Sequence, residues 1–271
     1  MTTDLRVRNN IRILGRSEGP VLLLAHGFGC DQGVWDRVLP YFVDDYKVVV
    51  FDHVGVGGSD LEAYDAAKYS SLDGYVSDLL EMCRELELTD VTLVGHSVSA
   101  MMAVTAAVES PELFADLVLL ASSPSYLDYP SDGYMGGFTA ADIADLLDSL
   151  DTNYLSWAAS MAPVIMGNPQ SPELGRELQG SFCRINPSIA RGFARVAFLS
   201  DVRHLLAGVS VPALILQCSD DLLVPDHVGP YTQERIPGST LARLQATGHL
   251  PHVSSPDETA QAILSYLRRT G

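Results

Sequence analysis

Residues 91–108 constrain the fold more than any other stretch of the chain. An apolar, β-branched run, Val91 to Val94, stops at Gly95, and Ser97 follows two residues on. A run with helical character then extends from Ala100 to Val108. A strand, a sharp turn with a serine at its apex and a helix make a nucleophile elbow. Such a turn lifts the hydroxyl clear of its own backbone. It also aims the Val98 amide at the same space, where it can bind a developing oxyanion. The commoner pattern, G-x-S-x-G, ends here in Ser99, small enough to let the helix approach the strand. The alternative is an ordinary strand-to-helix turn capped by a serine. The rest of the chain decides between the two.

Val21–Ala25, Lys47–Asp52 and Leu117–Ala121 are short apolar runs, the pattern of strands covered on both faces. Asn9–Leu14 is a weaker strand candidate. Between them a helix is expected over Val34–Phe42. A second helix, opened by Ser70-Ser71, carries Leu72, Tyr75, Val76, Leu79, Leu80, Cys83 and Leu86 on one face. Strands alternating with helices predict the α/β class, with a mostly parallel central sheet flanked by helices. From about Ser125 to Ser200 the alternation stops. Thr139-Ala140-Ala141-Asp142 reads as a capping box, followed by an apolar stripe of Ile143, Leu146, Leu147 and Leu150. Asp142, Asp145, Asp148 and Asp151 lie opposite as a solvated face. Further helices are expected at Tyr154–Met161, Pro172–Cys183 and Pro187–Phe198. This insertion has the shape of a helical cap over a site, so residues 1–124 and 201–271 form the core and 125–200 the cap. The sheet pattern resumes at Val211–Cys218 and Leu241–Gln245, and an amphipathic helix over Asp257–Arg269 closes the chain.

The chain has 271 residues, 47% hydrophobic and 19% charged, which fits one globular unit rather than a disordered segment. Its net charge of −17 argues against nucleic acid and anionic membrane surfaces as partners. No apolar run approaches the roughly 20 residues of a membrane span. No secretory signal is visible, so a cytoplasmic location is expected. Cys30, Cys83, Cys183 and Cys218 lack metal-site spacing and read as reduced, mostly buried thiols. Gly55-Val56-Gly57-Gly58-Ser59 is not a dinucleotide fingerprint, because the third glycine is missing and no long helix follows directly. No metal and no organic cofactor are expected.

In a parallel sheet the loops at the carboxyl ends of the strands share one edge. Four such loops here carry chemistry: His26-Gly27-Phe28-Gly29, Ser97, Asp220-Asp221 and His249. The order nucleophile, acid, histidine is that of the α/β-hydrolase triad. Ser97, Asp221 and His249 are therefore the candidate catalytic residues. The histidine would take the serine proton and the carboxylate would fix its tautomer. Asp220 competes with Asp221 for the acid position. The amides of Phe28 and Val98 are the candidate oxyanion donors. His26, His53, His96 and His252 read as structural. An Asp-nucleophile dehalogenase is disfavoured by Ser97, while haloperoxidase-like chemistry on the same triad ranks low.

His26 through Gln32 and Trp35, with Gly95-His96-Ser97-Val98, Leu216-Gln217-Cys218 and Gly248-His249-Leu250-Pro251-His252, resemble the RsbQ-type regulators of the bacterial general stress response. With Asn153-Tyr154 and Trp157 added, the same segments resemble the plant karrikin and strigolactone receptors. The likeness implies an α/β-hydrolase fold with a four-helix cap inserted after the sixth strand. It implies slow hydrolysis of small esters or butenolide-type lactones by a Ser-His-Asp triad. It also implies an apolar pocket lined by Phe28, Tyr126, Phe138, Trp157, Met161 and Phe198. Met161 stands where the plant receptors carry phenylalanine, which alters the pocket's shape. The expected partner is a small ester or lactone. A ligand-sensing role with a regulatory protein partner is the competing expectation.

Overall fold

A computed structural model describes residues 4–270. Among these residues, seven strands form one sheet: β1 (Arg12–Gly15), β2 (Val21–Ala25), β3 (Lys47–Val50), β4 (Val91–His96), β5 (Phe114–Leu120), β6 (Ala213–Gln217) and β7 (Thr240–Arg243). Their order across the sheet is β1-β3-β2-β4-β5-β6-β7. Only β1 runs antiparallel, against β3; every other pair is parallel.

The continuous apolar runs are divided by the pleat, because successive side chains leave a strand on opposite faces. Leu23, Val49, Leu93, Leu117 and Ile215 join the core beneath α2 (Leu72–Glu85) and α3 (Val98–Glu109). Their neighbours Leu22, Val48, Val94, Val118 and Leu214 join a second core. That core is filled by Trp35, Phe42 and the inner face of α10 (Pro256–Thr270), notably Ile263 and Tyr266. The expected α2 face is buried from Leu72 to Cys83, and Ser71 caps the helix by accepting from the Asp73 amide.

Two expectations need correction. Val34–Phe42 is not one helix but two short 3-10 turns, Gln32–Trp35 and Leu39–Tyr41. Pro40 has no amide for a helical hydrogen bond, and its ring would clash with the preceding turn. The helical insertion follows the fifth strand of this sheet, not a sixth. Among the described residues, the segment ahead of β1 is a one-turn helix, α1 (Leu5–Arg8), rather than a further strand.

The insertion contains α4 (Ala140–Thr152), α5 (Tyr154–Met166), α6 (Pro172–Arg184) and α7 (Pro187–Leu199). Thr139 and Asp142 form the expected capping box. Asp142, Asp145 and Asp148 are exposed, whereas Asp151 pairs with Arg195 at 2.5 Å. The base is drawn together by a bridge between Ser125 and Asp201 and by the Val202 amide donating to the Pro124 carbonyl at 2.9 Å. Two further α-helices are α8 (Val228–Arg235) and α9 (Pro251–Ser254). No helix among the described residues is long and apolar enough to cross a membrane.

Candidate active site

Ser97 sits between β4 and α3 with φ +57° and ψ −122°. A non-glycine residue in that region costs about 1–3 kcal/mol and persists only where its surroundings hold it. Here the Ser97 amide donates to the Leu120 carbonyl at 3.0 Å. Gly95 packs against the backbone of Ser99, leaving no room for a side chain. The turn is therefore fixed from both sides.

Three loops meet at this turn. Ser97 Oγ lies 2.8 Å from His249 Nε2, and His249 Nδ1 lies 2.8 Å from Asp221 Oδ2. All three residues are buried. Asp221 Oδ1 accepts from the Leu223 amide at 2.9 Å, which orients its carboxylate. Asp220 is exposed at its side chain and contributes its carbonyl, 2.6 Å from the Gly248 amide. One proton arrangement satisfies the set: His249 Nδ1–H donates to Asp221, and Nε2 accepts from the Ser97 hydroxyl.

Ser97 Oγ has another partner that the sequence did not indicate. The Tyr126 hydroxyl is 3.0 Å away. Burial pushes the Tyr126 phenol up, so at neutral pH it stays protonated and can donate.

The Gly27-Phe28 segment runs directly against the serine. A Cβ on Gly27 would lie 2.6 Å from His96 Nδ1 and 3.1 Å from the Ser97 Cβ. Among the described residues, neither the Phe28 amide nor the Val98 amide donates to a turn carbonyl or a side chain. The loop behind is anchored on Asp52, whose Oδ1 accepts from the Gln32 amide at 2.7 Å. Asp52 Oδ2 accepts from the Gly58 amide at 2.8 Å and from Asn10 Nδ2 at 2.7 Å. The glycine-rich stretch 55–59 thus wraps the protein's own carboxylate.

The four other histidines near the elbow have structural contacts. His96 Nε2 donates to the His249 carbonyl at 2.8 Å. His26 and His53 link the Gly27 loop to Ser99. His252 lies between Trp35 and His96, with ring centroids 4.5 and 4.6 Å apart. Burial lowers the pKa of all four, His252 to about 3.

A cavity of about 20 Å³ opens above Ser97. Phe28, Tyr126 and Phe198 line it as expected, together with Ile165, Phe182 and Leu223. Trp157 stands one ring back, 6.2 Å from Phe28 and 5.2 Å from Phe182 between centroids. Phe138 and Met161 do not line it; both pack half-buried against the larger core. Phe182 was missed, although Leu174, Leu178 and Phe182 form a readable apolar stripe on α6. The insertion also grips the histidine loop. The His249 amide donates to the Ile165 carbonyl at 2.9 Å, and Gly167 and Gly248 meet where neither has room for a Cβ. Among the described residues, no group of three His, Cys, Asp or Glu side chains converges as a metal-ligand set.

This sheet order, with a strained serine elbow and a Ser–His–Asp contact at the carboxyl edge, defines an α/β hydrolase. The chain belongs to the alpha/beta hydrolase family, whose model matches residues 22–262. It is similar to the Karrikin insensitive 2 receptor CA of Petunia hybrida, 39% identical over 260 residues, 96% of this chain and 95% of that protein. It is 38% identical to strigolactone esterase RMS3 of Pisum sativum, over 97% of this chain and 98% of that one. A hydrolase from Oleispira antarctica shares the fold at a TM-score of 0.94 and 42% identity, covering 98% of this chain and 96% of that one.

Proposed function

We propose that the chain is a cytoplasmic serine hydrolase that cleaves small, fairly apolar carboxylic esters or lactones. The observation that carries this reading is the buried hydrogen-bonded series Tyr126–Ser97–His249–Asp221, at 3.0, 2.8 and 2.8 Å. His249 Nε2 takes the Ser97 proton as Oγ attacks the carbonyl carbon. Asp221 stabilises the imidazolium through Nδ1–H. The amides of Phe28 and Val98 hold the oxyanion. His249 then returns the proton to the departing alcohol oxygen, which leaves an acyl group on Ser97. A water deprotonated by His249 releases that acyl group, and Oγ recovers its proton. These steps use the chain's own groups and no cofactor.

Residues 125–200 serve as a lid over a core of 1–124 and 201–271. The cavity holds one or two waters at its present size, so a substrate enters only when the lid shifts. Phe28, Tyr126 and Phe198 then contact the ligand first. Phe138, Trp157 and Met161 come into play as the pocket widens.

The test is turnover of p-nitrophenyl acetate. Ser97→Ala should lower it by at least about a thousandfold. Turnover equal to wild type rejects the reading.

A second reading rests on the cavity's small volume and on similarity to proteins named as receptors. It makes the chain a ligand sensor with slow hydrolysis and a regulatory protein partner. Steady-state rates on short acyl esters and butenolides separate the two. A sensor turns over about once per binding event and shifts its melting temperature with ligand.

A further inference from the structure

The ladder between β2 and β4 ends at the pair Ala25–Gly95. One residue past the end of β2 is His26, whose carbonyl points on toward the elbow side. No strand amide remains to meet it, because the chain has turned at Ser97. The Ser99 hydroxyl takes that place, donating to the His26 carbonyl at 2.5 Å. Ser99 is fully buried. Its only proton goes to a carbonyl, so the 2.9 Å contact with His53 Nε2 is one in which the imidazole donates and Oγ accepts. His53 Nε2 also lies 3.2 Å from the same His26 carbonyl. The His53 amide donates to His26 Nε2 at 3.2 Å, which leaves the His26 proton on Nδ1, facing the Gly27 carbonyl at 3.0 Å. The network is buried and directional.

Its position gives it a consequence. Ser99 is the residue after Val98, and His26 lies two residues before Phe28. One hydroxyl therefore ties together the two segments that carry the two candidate oxyanion amides. The glycine of the commoner G-x-S-x-G elbow offers no such tie. The loop also has little slack, since Gly27 lies against the Ser97 Cβ.

We propose that Ser99 is a positioning residue whose hydroxyl sets the spacing between the Phe28 and Val98 amides for the tetrahedral intermediate. This rests on the hydrolase reading given above. Ser99 touches no reacting atom; it acts through the backbone on either side.

The experiment compares wild type, Ser99→Ala, Ser99→Gly and Ser99→Thr. Two quantities are measured: kcat and KM for p-nitrophenyl acetate, and affinity for phenylboronic acid, whose serine adduct mimics the tetrahedral oxyanion. Removing a donor outright costs about 10²–10³ in rate, so a displaced one should cost about tenfold. Ser99→Ala and Ser99→Gly are expected to lower kcat about tenfold with KM within about threefold. Boronate affinity should fall by a similar factor, and Ser99→Thr, which keeps the hydroxyl, should recover most of both. If Ser99→Ala does not fold, Ser99→Gly carries the comparison. The proposal is overturned if kcat stays within about twofold of wild type. It is also overturned if kcat falls while boronate affinity does not, the signature of a merely structural residue. Wild-type turnover that persists in Ser97→Ala unseats the hydrolase reading instead, so the two failures are distinguishable.

Discussion

On the sheet side of the site, position is set by backbone. Ser97 is held in a strained conformation by the Leu120 carbonyl, Gly27 is pressed against it, and hydrogen bonds from buried His26, His53, His96 and Ser99 fix the loops. On the insertion side, position is set mostly by side-chain packing. Phe182 fits over Gly29, Phe28 touches four aromatic rings, and the ion pairs Arg184–Asp31 and Arg37–Glu177 lie near the surface. A backbone-held centre has one working geometry. A packed wall can be rebuilt with other side chains of similar volume. On the proposed reading, reaction chemistry and ligand choice fall to different parts of the molecule and should respond separately to mutation.

The largest expected effect is on the sheet side. Asp221→Asn leaves the packing nearly isosteric but removes the charge that orients His249. It should lower kcat for p-nitrophenyl acetate by about 10³–10⁴, with little change in melting temperature. A loss under tenfold would mean that Asp221 does not serve His249 and that the two sides are not divided as described.

On the insertion side the order of effects should reverse. Phe182 is almost fully buried, between Phe28, Trp157 and Gly29. Phe182→Ala should cost about 3 kcal/mol in urea unfolding, since truncating a buried aromatic leaves a void. The same variant should keep kcat for the acetate within about tenfold and lower KM for bulkier esters. Loss of acetate turnover as deep as in Asp221→Asn would erase the distinction.

The sequence made these two sides unequally legible. Each sheet strand is a local apolar run ending at a turn, so β2 to β7 could be read directly, with Ser97 after β4, Asp221 after β6 and His249 after β7. Periodicity misled at Val34–Phe42, where the apolar spacing is helical but Pro40 forbids the helix. Over the insertion the four helices were readable, with α5 running a turn beyond its expected end, to Met166. Which of their faces meet the serine was not, because that depends on how helices cross. Phe182 faces the cavity while Phe138 and Met161 do not. The contact of Gly167 with Gly248 joins positions far apart in sequence, and no local signal marks it. The Tyr126–Ser97 bond is legible only in three dimensions, for the same reason.

A smaller effect tests the buried histidines behind the elbow. His252 is folded as a neutral ring, its pKa pushed down to about 3 by burial first and by His249 and Arg37 next. The unfolded chain binds a proton there below about pH 6.5. The stability this contributes is complete above that pH and is lost as pH falls toward 3, by up to about 1.4 kcal/mol per unit. His252→Phe, which can still stack between Trp35 and His96, should therefore lose about 2 kcal/mol less than wild type between pH 7 and pH 5. Parallel losses measured by urea unfolding would show that this ring does not stay neutral.

The smallest effect belongs to the ion pairs that join α6 to the core. Arg184 is 62% exposed and Arg37 40% exposed at the side chain, and their bonds to Asp31 and Glu177 measure 2.8 and 2.7 Å. Exposed pairs of this kind contribute about 0–1 kcal/mol and are screened by salt. If packing rather than charge seats the insertion, Arg184→Gln and Arg37→Gln should each shift the unfolding free energy by less than about 1 kcal/mol. The shift should vanish in about 0.5 M NaCl. A larger, salt-insensitive loss would mean that charge locks α6 in place, and the insertion would then be held as rigidly as the sheet it covers.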